Sequence, residues 1–416
     1  MANGMHKTLT RKALIGGLAL LAAAVYGYHH QPAGWETIAT ALGKGDKPYG
    51  SGIFRVRGND IISLKVVEPE LKFKPGSELK DPDVAEFTEP WMDDSSERLN
   101  RRTIAFLVGS LDTGLTRTFQ QHGQNAAWWY SKDWRTLFVS TGWVDFKAPL
   151  PADGLPAQAT KLWRSSDGGR SWKQLSWPED RNIGRLLFLD PQRGYAIGWG
   201  PHVWRTTDGG QSWLEIKAPS PADFEKRRAT FDAADLGPDG ALRVARYVER
   251  SGEVKRSSLI YLLAWGQSEF DRDTVLPDQT VVDLQTSRAS TDGGYSVYAL
   301  TRLGLPRNVD NAGDNGHRTG AVSVWSNGLA ATVRQLHTFD DHLMLDGLSV
   351  GNDGVMLVYA TDPTSAGAPR DLTFLSKDFG ESWKELEDGS AQGEYFDPEL
   401  NTEYALFGYT LKKRRF

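Results

Sequence analysis

An all-β chain of four-stranded antiparallel blades, closed into a β-propeller, is the fold that this sequence predicts. Three observations carry the prediction. One short motif recurs three times, runs of period-2 hydrophobicity follow one another along most of the chain, and the 43 Gly and 20 Pro are spread out rather than gathered in one tract. With 15 Trp, 13 Tyr and 17 Phe, the chain has the bulky side chains that a core between many small sheets requires.

The amino terminus reads as an address. Residues 1–12 carry Lys7, Arg11 and Lys12 without an acid, and Ala13 to Tyr28 is apolar or small throughout. This is a signal sequence or membrane anchor helix over residues 1–30. At 1.5 Å per residue it reaches about 24 Å, short of a hydrocarbon core of about 30 Å, which favours cleavage. The small-x-small sites Ala22-x-Ala24 and Val25-x-Gly27 are poor, however, and Tyr26, Tyr28, His29 and His30 suit an interface. The expectation is therefore an anchor retained at residues 13–28. There is no cysteine and no Asn-x-Ser/Thr acceptor, a pair of absences that points to a bacterial periplasm.

Residues 31–416 then read as a single propeller domain. Gly52 to Val56, Ile61 to Val67, Thr103 to Gly109 and Leu115 to Phe119 form a first blade of strands a to d. Asn125 to Tyr130, Thr136 to Trp143, Lys161 to Ser165 and Trp172 to Ser176 form the next. A third runs Gly184 to Leu189, Gly194 to Trp199, His202 to Thr206 and Trp213 to Ile216. A fourth runs Thr230 to Leu236, Ala241 to Val248, Ser258 to Ala264 and Phe270 to Leu276. A fifth runs Val281 to Thr286, Tyr295 to Arg302, Ala321 to Ser326 and Thr332 to Leu336, and a sixth is built around Val355 to Tyr359. The remaining segments, Trp35 to Ala39 and Glu403 to Lys412, lie at opposite ends of the domain. Pairing them completes a seventh blade and removes the free edges of the ring; six blades is the alternative.

The repeated motif is SSDGGRSW at Ser165 to Trp172, TTDGGQSW at Thr206 to Trp213 and SKDFGESW at Ser376 to Trp383. The residues explain it. Asp167, Asp208 and Asp378 can turn carboxylates back onto backbone amides, and Gly169, Gly210 and Gly380 can take positive φ, so each segment closes a tight turn between strands c and d. Trp172, Trp213 and Trp383 then bury their rings against a neighbouring sheet. The first two copies start about 41 residues apart, a suitable length for one blade. SerThrAspGlyGly at 290–294 imitates the motif without its Trp, and sits instead at an a–b turn, as Asn352-Asp353-Gly354 does. The pattern resembles the Asp-box, or BNR, repeat of the sialidase-like propellers, a superfamily that also includes photosystem II assembly factor-like propellers. By that reading Ser165, Thr206 and Ser376 open structural boxes, and the recurring acids Asp167, Asp208 and Asp378 are staples rather than a metal or catalytic site.

The long connections all fall on the face opposite these turns: Pro69 to Arg102, Asp145 to Thr160, Gly304 to Gly320 and Asp362 to Asp371 between strands b and c, and Ala218 to Arg228 between blades. Long connections without secondary structure of their own are where binding residues concentrate. The first carries Glu86, Phe87, Trp91, Met92, Asp93 and Asp94, acids interleaved with apolar anchors, the candidate surface for a protein partner. Asp310, Asn311, Asp314 and Asn315 are read as turn formers rather than cation ligands, and neither a metal nor a cofactor is expected.

Function classes narrow accordingly. The net charge of −5 and the lack of a basic face exclude a nucleic-acid role. The resemblance raises a sialidase-like hydrolase, which would place its first arginine in a Phe/Tyr-Arg-Ile-Pro segment. Phe54-Arg55-Val56-Arg57 matches in part and departs where Arg57 replaces the proline, and no Tyr-Glu pair or further arginine can be assigned, so Arg55 keeps no role. The reading is a non-catalytic envelope propeller that binds a protein, as an assembly or scaffold factor or as an immunity or inhibitor protein against a secreted toxin. The alternative is a glycan-active protein, either a sialidase-like glycoside hydrolase or a lectin, and the question of enzyme activity stays open.

Overall fold

The computed structural model describes residues 34–40, 53–67, 102–145, 157–178, 181–198, 200, 202–219, 231–249, 256–287, 294–303, 319–326, 332–365, 369–386, 394–407 and 410–416. The described residues form 28 strands and no helix. After β1 (Glu36–Ala39), blade 1 comprises β2 (Ile53–Arg57), β3 (Asp60–Val67), β4 (Thr103–Ser110) and β5 (Gly114–His122). Blade 2 comprises β6 (Asn125–Tyr130), β7 (Leu137–Asp145), β8 (Ala157–Ser165) and β9 (Lys173–Leu175). Blade 3 comprises β10 (Ile183–Phe188), β11 (Gly194–Gly198), β12 (Val203–Thr206) and β13 (Leu214–Ile216). Blade 4 comprises β14 (Ala233–Leu236), β15 (Leu242–Glu249), β16 (Arg256–Leu263) and β17 (Asp271–Pro277). Blade 5 comprises β18 (Gln279–Thr286), β19 (Ser296–Leu303), β20 (Gly320–Ser326) and β21 (Arg334–Thr338). Blade 6 comprises β22 (Met344–Val350), β23 (Met356–Asp362), β24 (Arg370–Ser376) and β25 (Lys384–Leu386). β26 (Glu394–Asp397), β27 (Thr402–Phe407) and β28 (Thr410–Arg415) complete the order.

The seventh sheet has the order β1-β28-β27-β26, so its outer strand comes from the other end of the chain. There are seven blades, not six, and the ring closes where Glu36 faces Lys413 and Thr37 faces Lys412. The expected segment Glu403 to Lys412 proves to be two strands, with Phe407 opposite Thr410, and β26 supplies the innermost one.

The alternation along each strand explains why the sheets stack. In β4, Ile104 and Phe106 pack toward blade 2 while Ala105 and Leu107 pack toward blade 7. In β15, Leu242 and Val244 face blade 3 and Ala245 faces blade 5. A strand covered on both sides reads as a nearly continuous apolar run, as these do. Each of the seven apolar clusters lies between two neighbouring blades, and the smallest, around Val355, Leu357, Leu375 and Phe396, lies between blades 6 and 7.

Every blade is an up-and-down meander. Its first and third turns leave at one end, and its second turn and the link to the next blade leave at the other. The three motif hairpins are third turns, and their end of the ring is called the motif face below; the other end is the loop face. The longest motif-face connection is residues 287–295 between β18 and β19. The loop face emits residues 40–52, 68–102, 146–156, 217–232 and 304–319. One expected long connection, Asp362 to Asp371, shrinks to 363–369, because β23 and β24 run on past the predicted ends.

Candidate functional site

The motif hairpins share one set of bonds. Asp167 Oδ1 accepts from Ser165 Oγ at 2.8 Å and from the Ser171 amide at 2.9 Å, and Oδ2 accepts the Ser171 hydroxyl at 2.6 Å. Asp208 repeats this with Thr206 and Ser212 at 2.9, 2.9 and 2.5 Å, and Asp378 with Ser376 and Ser382 at 2.8, 2.9 and 2.5 Å. The opening hydroxyl in turn accepts the amide of Gly169, Gly210 or Gly380. Those glycines lie at φ 82°, 81° and 87°, and a Cβ on Gly169 would stand 2.6 Å from the Phe106 ring of the preceding blade. The Ser171 hydroxyl, and then its amide, hold the Asp167 carboxyl down at about 2. All these lone pairs point inward to the turn, which leaves few for a cation.

Each indole nitrogen donates back to its own hairpin: Trp172 to Gly169 O at 3.0 Å, Trp213 to Gly210 O at 3.2 Å and Trp383 to Gly380 O at 2.9 Å. That reversal keeps each Trp out of the outgoing strand, which begins one residue later than expected. The rings seal the wedges: Trp172 meets Phe106 at 5.0 Å, Trp213 meets Trp177 at 5.3 Å and Trp383 meets Phe339 at 5.5 Å. Blade 4 fills the same place without a motif. Its Trp265 meets Tyr195 of blade 3 at 5.4 Å, and Arg205 fixes the turn by donating to Gln267 O at 2.7 Å.

One concavity lies on the axis of the ring. A cavity of about 560 Å³ is lined mainly by first strands, including Arg55, Tyr130, Gln285, Asp346, Ser349 and Tyr395. At its motif-face end, Arg55 of blade 1 donates from Nε to the Tyr130 hydroxyl of blade 2 at 2.9 Å. Its guanidinium lies 4.3 Å from the Tyr395 ring centre of blade 7 and 5.2 Å from that of Trp128. Beyond it, Lys132 reaches Glu399 at 2.7 Å, joining the first turns of blades 2 and 7 across blade 1. Burial, with Tyr130 and Asp397 nearby, pushes the Tyr395 hydroxyl up, so it stays protonated. The loop-face end carries Asp346, Ile53 and Glu394, the last two the first residues of their strands.

Charged side chains stitch the first strands together around this axis. Arg185 of blade 3 donates to Asp232 O at 3.1 Å and Ala234 O at 3.2 Å in blade 4. Asp283 of blade 5 accepts the Leu348 amide of blade 6 at 3.1 Å. Register shifts at Ile183/Arg185, Val281/Asp283 and Leu345/Gly347 aim such side chains sideways, as extra residues in a ladder do. Burial raises the carboxyls of Asp235 and Asp283.

Arg55 is thus the one residue with a sequence-level hydrolase reading that the structure places on the axis, and its guanidinium is engaged by a hydroxyl and three rings. Among the described residues no group of three His, Cys, Asp or Glu is arranged to hold a metal ion. The candidate partner residues Glu86, Phe87, Trp91, Met92, Asp93 and Asp94 lie outside the described residues, as do residues 1–33 and the segment around Asp310. No helix among the described residues is long and apolar enough to cross a membrane.

The architecture defines the class: a seven-bladed β-propeller of four-stranded antiparallel blades. No family profile and no curated protein matches the chain. Among solved structures, the chain is similar in fold to YCF48 bound to D1 peptide, with a TM-score of 0.44 at 12% identity over 76% of this chain and 85% of that one. YCF48 from Cyanidioschyzon merolae gives a TM-score of 0.42 at 12% identity over 76% and 92%. A protein of unknown function from Dyadobacter fermentans gives 0.42 at 12% over 93% and 99%.

Proposed function

We propose that this chain is a non-catalytic envelope propeller that binds a protein partner through the connections of its loop face. One observation carries the reading: every connection longer than residues 287–295 leaves from that face, while the motif face is closed by short, internally bonded turns. Binding residues concentrate on connections that a scaffold of packed strands positions. The six residues from Glu86 to Asp94 named above supply aromatic and apolar anchors among acids, a composition suited to a basic or mixed partner surface. The finer reading is of Asp-box repeats in an assembly or scaffold factor, or in an immunity or inhibitor protein, held at the inner membrane by residues 13–28 and exposed to the periplasm.

A glycan-active protein is the second reading. The engagement of Arg55 by Tyr130, Trp128 and Tyr395 weighs against its serving as a carboxylate clamp in a sialidase-like site.

The test uses the full chain, recovered from envelope extract with and without residues 75–98. A stoichiometric protein that co-purifies with the intact chain and is lost from the deletion supports the reading. Sugar release from a glycan panel, abolished by Arg55→Ala, overturns it. Retention in the membrane fraction after alkaline washing tests the anchor separately.

A further inference from the structure

A groove of about 640 Å³ runs along the motif face between blades 1 and 2. One bank belongs to blade 1, with Asp60, Thr116 and Thr118; the other belongs to blade 2, with Trp134, Arg135 and Arg170. One feature marks it as more than a gap between blades. Trp134 sits at φ 59°, in the left-handed region that bulky side chains avoid, and strain of this kind concentrates at binding sites. The turn that holds it there is built for the purpose. Asp133 accepts from Ser131 Oγ at 2.6 Å and from the Arg135 amide at 3.1 Å, while Ser131 Oγ accepts the Thr136 amide at 2.9 Å.

The chemistry selects the ligand. The lining carboxylates of Asp60, Asp133 and Asp167 are set against the guanidinium groups of Arg135 and Arg170, so neither sign of charge dominates the groove. The lining thus offers an indole, carboxylates, guanidinium groups and hydroxyls. A ring that is apolar on its faces and carries hydroxyls around its edge matches that set, with the ring on the indole and vicinal hydroxyls shared between planar polar side chains. We propose that the groove between blades 1 and 2 binds a neutral oligosaccharide, stacked on Trp134 and hydrogen-bonded by Asp60 and Arg135. The site lies on the face opposite the long connections and does not depend on the protein-partner reading.

Saturation-transfer NMR and calorimetry on the full chain with maltotriose, cellotriose and the trimer of N-acetylglucosamine test the proposal. At least one should bind saturably. Thr116→Arg, an exposed change that fills the groove without touching the core, should weaken it about tenfold or more, and Trp134→Ala should do the same. Because Trp134 also packs on the cluster between blades 1 and 2, Thr116→Arg is the deciding variant. Deletion of residues 75–98 should leave the affinity unchanged. Failure of all three sugars to bind saturably, or wild-type affinity in Thr116→Arg, overturns the assignment.

Discussion

The wedge between blades 2 and 3 and the wedge between blades 4 and 5 are closed by opposite means. In the first, Trp213 covers Trp177 and Phe188, and its hairpin is bonded within itself. In the second, ions are buried. Arg243 Nε lies 2.8 Å from Asp273 Oδ2, with both side chains 0% exposed, and Arg243 also reaches the Tyr295 hydroxyl of blade 5 at 3.3 Å. That hydroxyl donates to Asp239 at 2.8 Å, and the Trp325 indole donates to Asp273 at 3.4 Å. A motif hairpin can form as soon as its few residues meet. The ion cluster joins side chains from two blades, and each charge is tolerable only while its partner is present.

That contrast sets the order of expected losses. Asp273→Ala removes the carboxylate that faces Arg243 Nε and should lower stability by about 3–5 kcal/mol, read by denaturant unfolding, whereas Arg243→Met with Asp273→Leu should recover most of it. A single change as mild as the double one would remove the distinction between the two wedges. Trp213→Ala should cost about 2–4 kcal/mol, less than a wholly enclosed ring because part of the indole faces solvent. Asp167→Ala should cost only about 1 kcal/mol at neutral pH, since the carboxylate is exposed and screened.

The pH dependence sharpens the comparison. The folded Asp167 carboxyl titrates at about 2, below its ordinary 3.8, so its contribution is present above about pH 4 and disappears as pH falls through 2. Wild type and Asp167→Ala should therefore converge in stability across that window. Asp235 has the opposite sign. Burial raises its carboxyl above 3.8, so its stabilisation is full below that value and is lost as pH rises through the folded value. Asp235→Asn should gain on wild type from acid to neutral pH in the same unfolding series. The smallest effect belongs to Phe379, which stands at φ 61° where the other two hairpins have Gly168 and Gly209 at 73° and 71°. With the residue 44% exposed, Phe379→Gly should stabilise by about 0.5 kcal/mol, measured as a higher Tm.

The blades were legible in the sequence because each strand alternates locally and each turn carries Gly, Asp or Asn. Asn125–Tyr130 is recovered to the residue. Legibility failed where a strand is short or a motif is degenerate. Glu394–Asp397 has one buried side chain, Phe396, too few for any period to show. Thr332 was expected to open the last strand of blade 5, yet pairing starts at Arg334, where Val324 faces it and a register shift follows. The turn at Ser131 to Thr136 repeats the Ser-x-Asp logic of the motif, a signal that was available, whereas nothing marks Trp265 as the stand-in for a motif Trp. The axial cavity and the groove each assemble side chains from separate blades, as the contact of Arg55 with Tyr130 shows, and no local window contains them.

The closing strand also has a direction. β1 is the outermost strand of blade 7 and runs antiparallel to β28, so it enters at the motif face and leaves toward the loop face. Glu36, its first residue, follows the apolar segment 13–28 by only a few residues. A chain tethered through that segment, as proposed, would stand with its motif hairpins toward the bilayer and its long connections turned outward into the aqueous space. The strand that completes the ring would then also orient it.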